Sequence, residues 1–268
     1  MDNSKFSIIG TGFILARHIQ AIAHIGGEII DIINDKRGQY DWSAMIETTK
    51  ANYISILTPN DLHFQMIEKA HSKNKVVLCE KPICILPEDF KYLLGYDNVF
   101  TVLQLRYHPL VKEIEVKDFN EIEIDISVYR DKNYYNSWKG NEKRSGGILY
   151  NLGIHYFDLL TYLFGNVKKI DKVKISEKEA SGIIKGDKFV CKFYLTTNAK
   201  QDQQKRVFKV NDRYFNFSSQ DNLSFEDLHK FVYKDLIKGK GVKPTDINDL
   251  MFLIEAIKEC RLNFGNQN

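Results

Sequence analysis

The sequence predicts an α/β fold with a doubly wound parallel sheet, followed by a C-terminal α+β domain with a mostly antiparallel, open sheet. In the first hundred residues strand and helix patterns alternate, which is typical of a parallel sheet covered by helices. These strands carry Ile and Val on both faces, as a doubly covered sheet requires. After Arg106, Glu121–Tyr129 alternates in polarity like a half-exposed antiparallel strand. The predicted domains are 1–105 and 106–268, with a C-terminal helix that can pack back on the first.

The individual elements follow from hydrophobic periodicity. In the first domain the predicted strands are Phe6–Gly10, Glu28–Ile33, Asn52–Leu57, Lys75–Cys79 and Val99–Leu103, and the predicted helices are Leu15–His24, Asp61–Ser72 and Pro87–Leu94. In the second domain the predicted strands are Glu121–Tyr129, Val167–Ile175, Phe189–Leu195, Arg206–Val210 and Tyr214–Phe217, and the predicted helices are Gly147–Phe164, Ser224–Lys238 and Ile247–Leu262.

Composition narrows the function classes. The 268 residues are 43% hydrophobic, and 38 Lys+Arg against 35 Asp+Glu leave a net charge of +3. This balance argues against nucleic acid or a membrane surface as a partner, and it suits a small anionic ligand. No apolar run is long enough to span a membrane, and the start is too short and strand-like for a signal peptide. The four cysteines fit no zinc pattern, so a reduced, cytoplasmic protein without a metal is predicted.

A glycine turn lies at the end of the first predicted strand. Gly10-Thr11-Gly12 supplies a tight turn and close backbone approach, and the helix that follows supplies free N–H groups and a partial positive charge. Leu15 stands where a third glycine or an alanine is usual. The turn therefore predicts a pyrophosphate site, with an ordinary strand-turn-helix corner as the alternative.

The second strand ends in a polar segment that bears on cofactor choice. Asn34 or Asp35 is placed to bind the adenosine ribose hydroxyls of NAD, and Asp35 would repel a 2′-phosphate. Lys36 and Arg37 would attract that phosphate instead. NAD is accordingly predicted in preference to NADP, and a solvated turn is the alternative interpretation.

Two more predicted strands end in residues that can face a ligand. Thr58-Pro59-Asn60 follows the third strand, and Asn60 is expected to cap the next helix, to border the cofactor, or to do both. Glu80-Lys81-Pro82 follows the fourth strand, where charged side chains cost desolvation unless something uses them. A lysine there can donate a hydrogen bond to a substrate hydroxyl and stabilise a developing alkoxide. A Glu-Lys pair on a surface turn is the structural alternative.

The helix predicted over Gly147–Phe164 has a polar stripe on an apolar background. Asn151, His155, Asp158 and Tyr162 follow spacings of four, three and four, so they share one face. Such a stripe faces water, a partner or a ligand. His155 can exchange a proton near neutral pH, whereas a satisfied core histidine is the alternative.

A basic group of residues is expected beside the interdomain cleft. Arg106 can hold a carboxylate or phosphate in a bidentate manner, and His108 follows it. Trp138, Lys139 and Arg144 belong to a basic, glycine-containing loop. This loop is predicted to be either a wall for an anionic substrate or a solvated surface.

In this order and spacing the motifs resemble the Gfo/Idh/MocA oxidoreductase family. The motifs that carry the resemblance are Gly10-Thr11-Gly12, Glu80-Lys81-Pro82, Gly146-Gly147 and Gly153-Ile154-His155 with Asp158. Segments such as Ser55–His63, Leu103–Arg106, Ser137–Gly140 and Asn151–His155 are similar to nucleotide-sugar 3-dehydrogenases, in particular those acting on UDP-N-acetylglucosaminuronate. The chain departs from that subgroup in Leu15 and in its shorter loops.

The resemblance implies an NAD-dependent oxidation of a sugar 3-hydroxyl to a ketone in surface-polysaccharide synthesis. Lys81 and His155 match the catalytic residues of the family. The implied cofactor contacts are Gly10, Gly12, Phe13, Ile14, Asn34, Asp35, Thr58, Pro59, Asn60, His63, Glu80, Lys81 and Gln104. The implied substrate contacts are Asn151, Asp158, Arg106, His108, Trp138, Lys139 and Arg144.

Several alternatives and partners follow from the same comparison. The substrate is a UDP-N-acetylhexosamine uronate, with UDP-N-acetylglucosamine as the competitor. A non-catalytic dinucleotide-binding protein is the alternative from another class, favoured by Leu15 and the short chain. A homodimer or homotetramer is expected because the open sheet needs a cover, and an aminotransferase is the implied functional partner.

Overall fold

The structure, a computed structural model, describes residues 4–34, 41–217 and 225–265. Two compact units divide the chain: Met1–Tyr107 with Phe225–Asp246, and His108–Ser224 with Ile247–Asn268. The sequence-based division at residue 105 assigned Phe225–Asp246 to the second domain, whereas the structure places this segment in the first unit. Among the described residues no helix is both long and apolar enough to cross a membrane.

The first unit contains a parallel sheet of five strands in the order β2-β1-β3-β4-β5. The strands are β1 (Lys5–Ile9), β2 (Glu28–Ile33), β3 (Tyr53–Ile56), β4 (Val76–Cys79) and β5 (Val99–Thr101). The helices between them are α1 (Leu15–His24), α2 (Trp42–Thr48), α3 (His63–Ser72) and α4 (Pro87–Leu93). The predicted strands and the predicted parallel sheet are confirmed, while α2 was not predicted.

The central strands are buried because their side chains are apolar on both faces. Phe6, Ile8, Ile54 and Val77 have no exposed surface, which is expected of a parallel sheet with helices on either side. All five strands run in parallel, so their carboxyl ends lie along one edge. Ligands of open α/β sheets bind at that edge.

A later part of the chain completes the first unit. It carries α8 (His229–Leu236), which packs against α1, and its Val232, Tyr233 and Leu236 join the core formed by the sheet. The helix that completes the first unit is α8. The predicted helix Ser224–Lys238 is also shorter in the structure: a 3₁₀ turn precedes α8, and Ser224 lies outside the described residues.

The second unit contains a six-stranded sheet in the order β11-β10-β6-β9-β8-β7. Its strands are β6 (Asn120–Ser127), β7 (Val167–Ile175), β8 (Glu179–Gly186), β9 (Phe189–Thr196), β10 (Lys205–Val210) and β11 (Arg213–Asn216). Only β6 and β9 pair in parallel among these neighbours, so the predicted mostly antiparallel sheet is confirmed. Strand β8 was not predicted.

One face of this sheet is covered by helices of the same unit. These are α7 (Ile154–Phe164) and α9 (Asn248–Gly265); the short helices α5 (Lys132–Asn136) and α6 (Glu142–Ser145) lie in the loop after β6. The single helix predicted over Gly147–Phe164 is instead a π-helical turn, Leu149–Gly153, followed by α7. A π turn inserts a residue into the helix and is frequent at functional sites.

Candidate active site

The turn after β1 has a backbone geometry that only glycine accepts. Gly10 has a φ of +112°, and a Cβ there would lie 2.6 Å from the carbonyl oxygen of Leu57. Its N–H donates to the carbonyl of Ile33 at 2.8 Å. The turn is therefore held between the ends of β2 and β3, at the carboxyl edge of the sheet.

The space around the turn and the start of α1 suits a phosphate. Among the described residues, Gly12 has no neighbouring atom within 4 Å of where a Cβ would be, and no side chain caps the N-terminus of α1. Free N–H groups at a helix N-terminus favour an anion. Phe13 is 75% exposed beside the turn, while Ile14 and Leu15 pack on the core of this unit. Leu15 thus takes up helix packing where the usual motif has a small residue.

The other predicted cofactor residues follow β2 and β3 in the sequence. Asn34 is half-buried directly after β2, and Asp35 lies outside the described residues. Thr58 and Asn60 are buried after β3. Asn60 begins a 3₁₀ turn and α3 begins only at His63, so the predicted role of Asn60 as the cap of that helix is wrong. Pro59 precedes this turn.

His63 ties two segments of this sheet edge together. Its Nε2 lies 2.9 Å from the carbonyl of Thr58, and its Nδ1 lies 2.6 Å from that of Pro82. The ring is fully buried, and this burial lowers the pKa of His63 although both carbonyls oppose the shift. The residue fixes the loop after β3 against the turn after β4.

The carboxylate of Glu80 is surrounded by hydrogen-bond donors. Its Oε1 lies 2.9 Å from His18 Nε2 and 3.2 Å from His229 Nε2, and its Oε2 accepts the N–H of Lys81 at 3.2 Å. Burial alone would raise the pKa of Glu80, but the bonds from both histidines outweigh it and hold that pKa well below its usual range. Burial lowers the pKa of His18, against the influence of Glu80.

Lys81 and Gln104 complete the part of the site in the first unit. Lys81 follows Glu80 directly after β4, is partly exposed, and forms a cis peptide bond with Pro82. Gln104 is buried after β5, and its Oε1 has no hydrogen-bond partner among the described residues. A buried acceptor without a partner fits a donor supplied by a ligand. The open turn at Gly12 and this oxygen are both consistent with a bound dinucleotide.

In the second unit, the predicted polar stripe lies on two kinds of helix. Asn151 is in the π turn, so its spacing to His155 is not one regular α-helical turn. Within α7, Asp158 is fully buried and His155 is 9% exposed, whereas Tyr162 is 55% exposed. Gly153 packs closely against Phe157 and Leu195. A Cβ at this position would lie 2.6 Å from Phe157 and 2.9 Å from Leu195.

A cavity of about 180 Å³ adjoins the π turn in the second unit. It brings together two of the predicted substrate residues, Lys139 and Asn151, and the Nδ2 of Asn151 donates to the Lys139 carbonyl at 3.2 Å. Burial lowers the pKa of Lys139, and the Arg130 guanidinium lowers it further. The other polar and aromatic side chains on its wall are Tyr134, Tyr135, Glu142, Ser176, Glu177, Thr197 and Lys258.

The remaining predicted substrate residues do not line this cavity. Arg106 lies in the first unit, where its guanidinium is 3.4 Å from the carbonyl of Asp246. His108 is buried, accepts the N–H of Leu110 and contacts the Phe217 ring edge-on, so it has a structural task. Trp138 and the half-buried Arg144 lie in the loop that leads to the cavity.

Sequence reasoning missed several residues of these two regions. It did not assign His18 or His229 to Glu80, since they are 62 and 149 residues distant from it in sequence. It also missed Tyr134, Tyr135 and Lys258 on the cavity wall. The adjacent tyrosines within a basic loop were the one local signal, because aromatic rings beside cations are common in binding sites.

An NAD-binding Rossmann sheet joined to a second α/β domain defines a class of two-domain dehydrogenases. Residues 4–96 match the model for "Oxidoreductase family, NAD-binding Rossmann fold", and residues 110–182 match "Oxidoreductase family, C-terminal alpha/beta domain". Both are Gfo/Idh/MocA models, and together they cover more than half of the chain. The chain therefore belongs to the Gfo/Idh/MocA family and is an NAD(P)-dependent oxidoreductase.

Individual relatives are distant but similar over most of the chain. Glucose-6-phosphate 3-dehydrogenase of Bacillus subtilis is 24% identical over 98% of this chain and 75% of its own length. Several other curated relatives are matched over only 36–51% of theirs.

Among solved structures, the WlbA (WbpB) dehydrogenase of Thermus thermophilus, in complex with NAD and UDP-GlcNAcA, has a TM-score of 0.82 at 24% identity, covering 95% of this chain and 94% of its own. UDP-N-acetylglucosamine 3-dehydrogenase of Acidithiobacillus ferrooxidans has a TM-score of 0.79 at 16% identity, covering 98% and 100%. At these identities the two likenesses establish the fold.

Proposed function

We propose that this protein uses NAD to oxidise the 3-hydroxyl group of a UDP-N-acetylhexosamine uronate to a 3-keto sugar, in bacterial-type surface polysaccharide biosynthesis. The observation that carries the proposal is the Glu80-Lys81 turn, which follows β4 in the same sheet as the Gly10 turn. A cofactor turn and a lysine at one sheet edge suit an enzyme that removes hydride from an alcohol.

Each catalytic side chain has one task in this proposal. The ammonium of Lys81 donates a hydrogen bond to the reacting oxygen and stabilises negative charge as it develops. The imidazole of His155 accepts the hydroxyl proton, since a histidine can change charge near neutral pH. Bound NAD supplies the hydride acceptor. The alcohol thus loses a hydride to the cofactor and a proton to His155, which balances the oxidation to a ketone.

The cavity in the second unit offers charged and aromatic groups to a sugar nucleotide, and its wall carries the carboxylates Glu142 and Glu177 as well as two cations. Lys139 and Lys258 are the cations on its wall among the described residues, and Tyr134 and Tyr135 offer aromatic rings. We assign the uronate carboxylate to Lys139, because Arg106 and Arg144, the other candidates from the sequence, do not line the cavity. Two of the relatives are named as 3-dehydrogenases, and three similar structures of WlbA dehydrogenases contain UDP-GlcNAcA, which supports both the position of oxidation and the substrate class.

The test is a substrate panel read by NADH absorbance. We expect the largest kcat/KM with NAD and UDP-N-acetylglucosaminuronate, a smaller value with UDP-N-acetylglucosamine, and little activity with glucose 6-phosphate or NADP. A substrate carrying deuterium at C3 identifies the carbon, because only oxidation at C3 transfers that deuterium to the cofactor. Deuterium-free NADH from the labelled sugar would overturn the position assigned here.

Two outcomes distinguish the competing functions. A higher kcat/KM for UDP-N-acetylglucosamine than for its uronate favours the sugar without a carboxylate. The similar enzyme from Acidithiobacillus ferrooxidans is named as a 3-dehydrogenase of that substrate. Tight NADH binding without turnover of any sugar in the panel favours the non-catalytic dinucleotide-binding protein. Leu15 does not favour that alternative, because the packing of its side chain on the core accounts for a leucine at this position.

The proposal also covers the oligomeric state, the functional partner and the cellular location of the protein. We expect a homodimer or homotetramer, a cytoplasmic location, and an aminotransferase that consumes the 3-keto product, since a ketone is what transamination requires. The exposed side of β6 and β9 carries Glu121, Glu123 and Lys192. An interface on this side would therefore be polar. Sedimentation as a monomer at micromolar concentration would contradict the expected oligomer.

A further inference from the structure

Three segments that are far apart in sequence meet at Glu80. His18 belongs to α1, Glu80 follows β4, and His229 belongs to α8. Both rings are almost completely buried, and only 13% of the Glu80 side chain is exposed. A carboxylate this far from water is costly unless hydrogen bonds replace its hydration. The proposed reaction as described above does not use either histidine.

The directions of the hydrogen bonds follow from Glu80. An ionised carboxylate only accepts, so the Nε2 atoms of His18 and His229 both carry the hydrogen that they share with Oε1. A neutral His18 then accepts at Nδ1, where the Tyr233 hydroxyl lies 2.7 Å away. Tyr233 in turn lies 2.9 Å from the Ser55 hydroxyl, which completes a chain from Ser55 through Tyr233 and His18 to Glu80.

The second oxygen of the carboxylate links this network to the catalytic lysine. Oε2 of Glu80 accepts the backbone N–H of Lys81 at 3.2 Å. We propose that His18 and His229 are positioning residues: they hold Glu80 as an oriented carboxylate, and Glu80 fixes the backbone from which the Lys81 ammonium projects. This inference rests on the role given to Lys81 in the proposed function. Two members of the network, His229 and Tyr233, come from α8, where they are one turn apart.

The same three side chains invite a second interpretation. Among the described residues, the ligand atoms of His18, Glu80 and His229 lie within 4.8 Å of one another, a grouping that can hold a metal ion. Tetrahedral zinc with ligands at about 2.0–2.1 Å separates neighbouring ligand atoms by roughly 3.4 Å. The 2.9 Å between His18 Nε2 and Glu80 Oε1 is shorter and is typical of a hydrogen bond.

The kinetic test compares two substitutions of one residue. His18→Gln keeps an N–H donor near the Nε2 position, whereas His18→Asn keeps a polar group only on the side of Tyr233. We expect His18→Asn to lower kcat by about 10²-fold, the scale of a small misplacement of a catalytic group, with KM for NAD and sugar little changed. His18→Gln should recover most of that loss. The exposed His24 is the control, and His24→Asn should leave kcat unchanged.

A second readout needs no substrate. The amide hydrogen of Lys81 is bonded to Glu80, so its exchange with solvent should be slow in the wild type, faster in His18→Asn and slow again in His18→Gln. The amide of Val77 in β4, bonded to the carbonyl of Asn98, reports whether the strand itself has loosened and should not change. In protein labelled with ¹⁵N-histidine, both His18 and His229 should show a protonated Nε2.

These measurements separate the possible failures. If no sugar is oxidised but the Lys81 amide responds as expected, the proposed function fails and the positioning role stands. Equal losses of kcat in His18→Gln and His18→Asn, with both variants folded, would overturn the positioning role, as would unchanged exchange at Lys81. Stoichiometric zinc that disappears in His18→Asn, with Nε2 unprotonated in the wild type, would establish the metal site instead.

Discussion

The sheet edge of the first unit and the cavity of the second unit are built in different ways. At the sheet edge, backbone geometry and a buried network dictate the arrangement: Gly10 needs a positive φ, and Glu80 has three hydrogen-bond donors around it. The cavity is lined by side chains from loops and helix ends, such as Tyr134, Lys139 and Lys258. The first arrangement tolerates little change, which suits chemistry shared across a family, whereas the second can change with the substrate.

The most severe test of this contrast removes the two groups that are proposed to be catalytic. Lys81→Met and His155→Asn should each lower kcat at least ~10²-fold, the usual scale for loss of a general acid or base. Steady-state kinetics with the best sugar of the panel measures this, and NADH binding should persist in both variants. Turnover near that of the wild type in either variant would remove that residue from the mechanism.

The two glycines of the turn should respond differently to alanine. Gly10→Ala places a Cβ 2.6 Å from the Leu57 carbonyl at a φ of +112°, and so should destabilise the protein even without cofactor, by about 1–3 kcal/mol or more. Among the described residues Gly12→Ala meets nothing within 4 Å, so its thermal unfolding should be unchanged, while NADH affinity should fall if the pyrophosphate occupies that space as proposed. Unchanged NADH affinity in Gly12→Ala would contradict a phosphate site at this turn.

The cavity should show its effects in KM rather than in kcat. Lys139→Met should raise KM for the uronate by about 10-fold, as expected for loss of one charge-assisted hydrogen bond, and leave KM for UDP-N-acetylglucosamine little changed. Lys143→Met is the matched control, because Lys143 is exposed in the same loop and does not line the cavity. An equal increase in KM for both sugars would contradict contact between Lys139 and the carboxylate, and would instead indicate that Lys139 binds the diphosphate.

The smallest predicted effect is a loss of stability in acid that originates in the first unit. The folded-state pKa values of His18 and His63 are lowered, so below their usual value of 6.5 the unfolded chain binds more protons and stability falls. Glu80 has a depressed pKa, so its contribution is present above 4.5 and is lost as the pH falls through its folded-state value.

Urea unfolding between pH 8 and pH 5, at constant ionic strength, measures this decline. His18→Gln removes one of the titrating groups and should flatten the pH dependence below 6.5. A midpoint that stays constant down to pH 5 would show that these buried groups do not control acid stability.

Much of the fold could be predicted because local pattern and tertiary environment agree. The parallel strands are short apolar runs that end in turn residues, so their positions were recognised. Strand β8 was missed because its Gly182 and Gly186 weaken the strand pattern; pairing with β7 and β9 on either side stabilises it nevertheless. Helix α2 was missed although Asp41 caps it by accepting the N–H of Ser43.

Sequence motifs point to some residues of the candidate site, whose roles stay predictions, whereas contacts that depend on packing could not be predicted. Gly10 and Lys81 stand in local motifs that indicate their chemistry. The partners of Glu80 depend on α8 packing against α1, which no local pattern contains. The π turn at Asn151 likewise follows from tertiary packing, because the sequence periodicity alone is that of a regular helix.

The path of the chain through α8 limits how this protein can be divided. A fragment ending at Tyr107 would keep the glycine turn and Lys81 but lack His229 and Tyr233, leaving the Glu80 carboxylate and an apolar side of α1 uncovered. A chimaera made to exchange substrate preference with a relative must therefore graft two separate pieces, 108–224 and 247–268, and retain the native 225–246 between them. Recombination at a single crossover point would exchange the segment that supports Lys81 together with the cavity of the second unit.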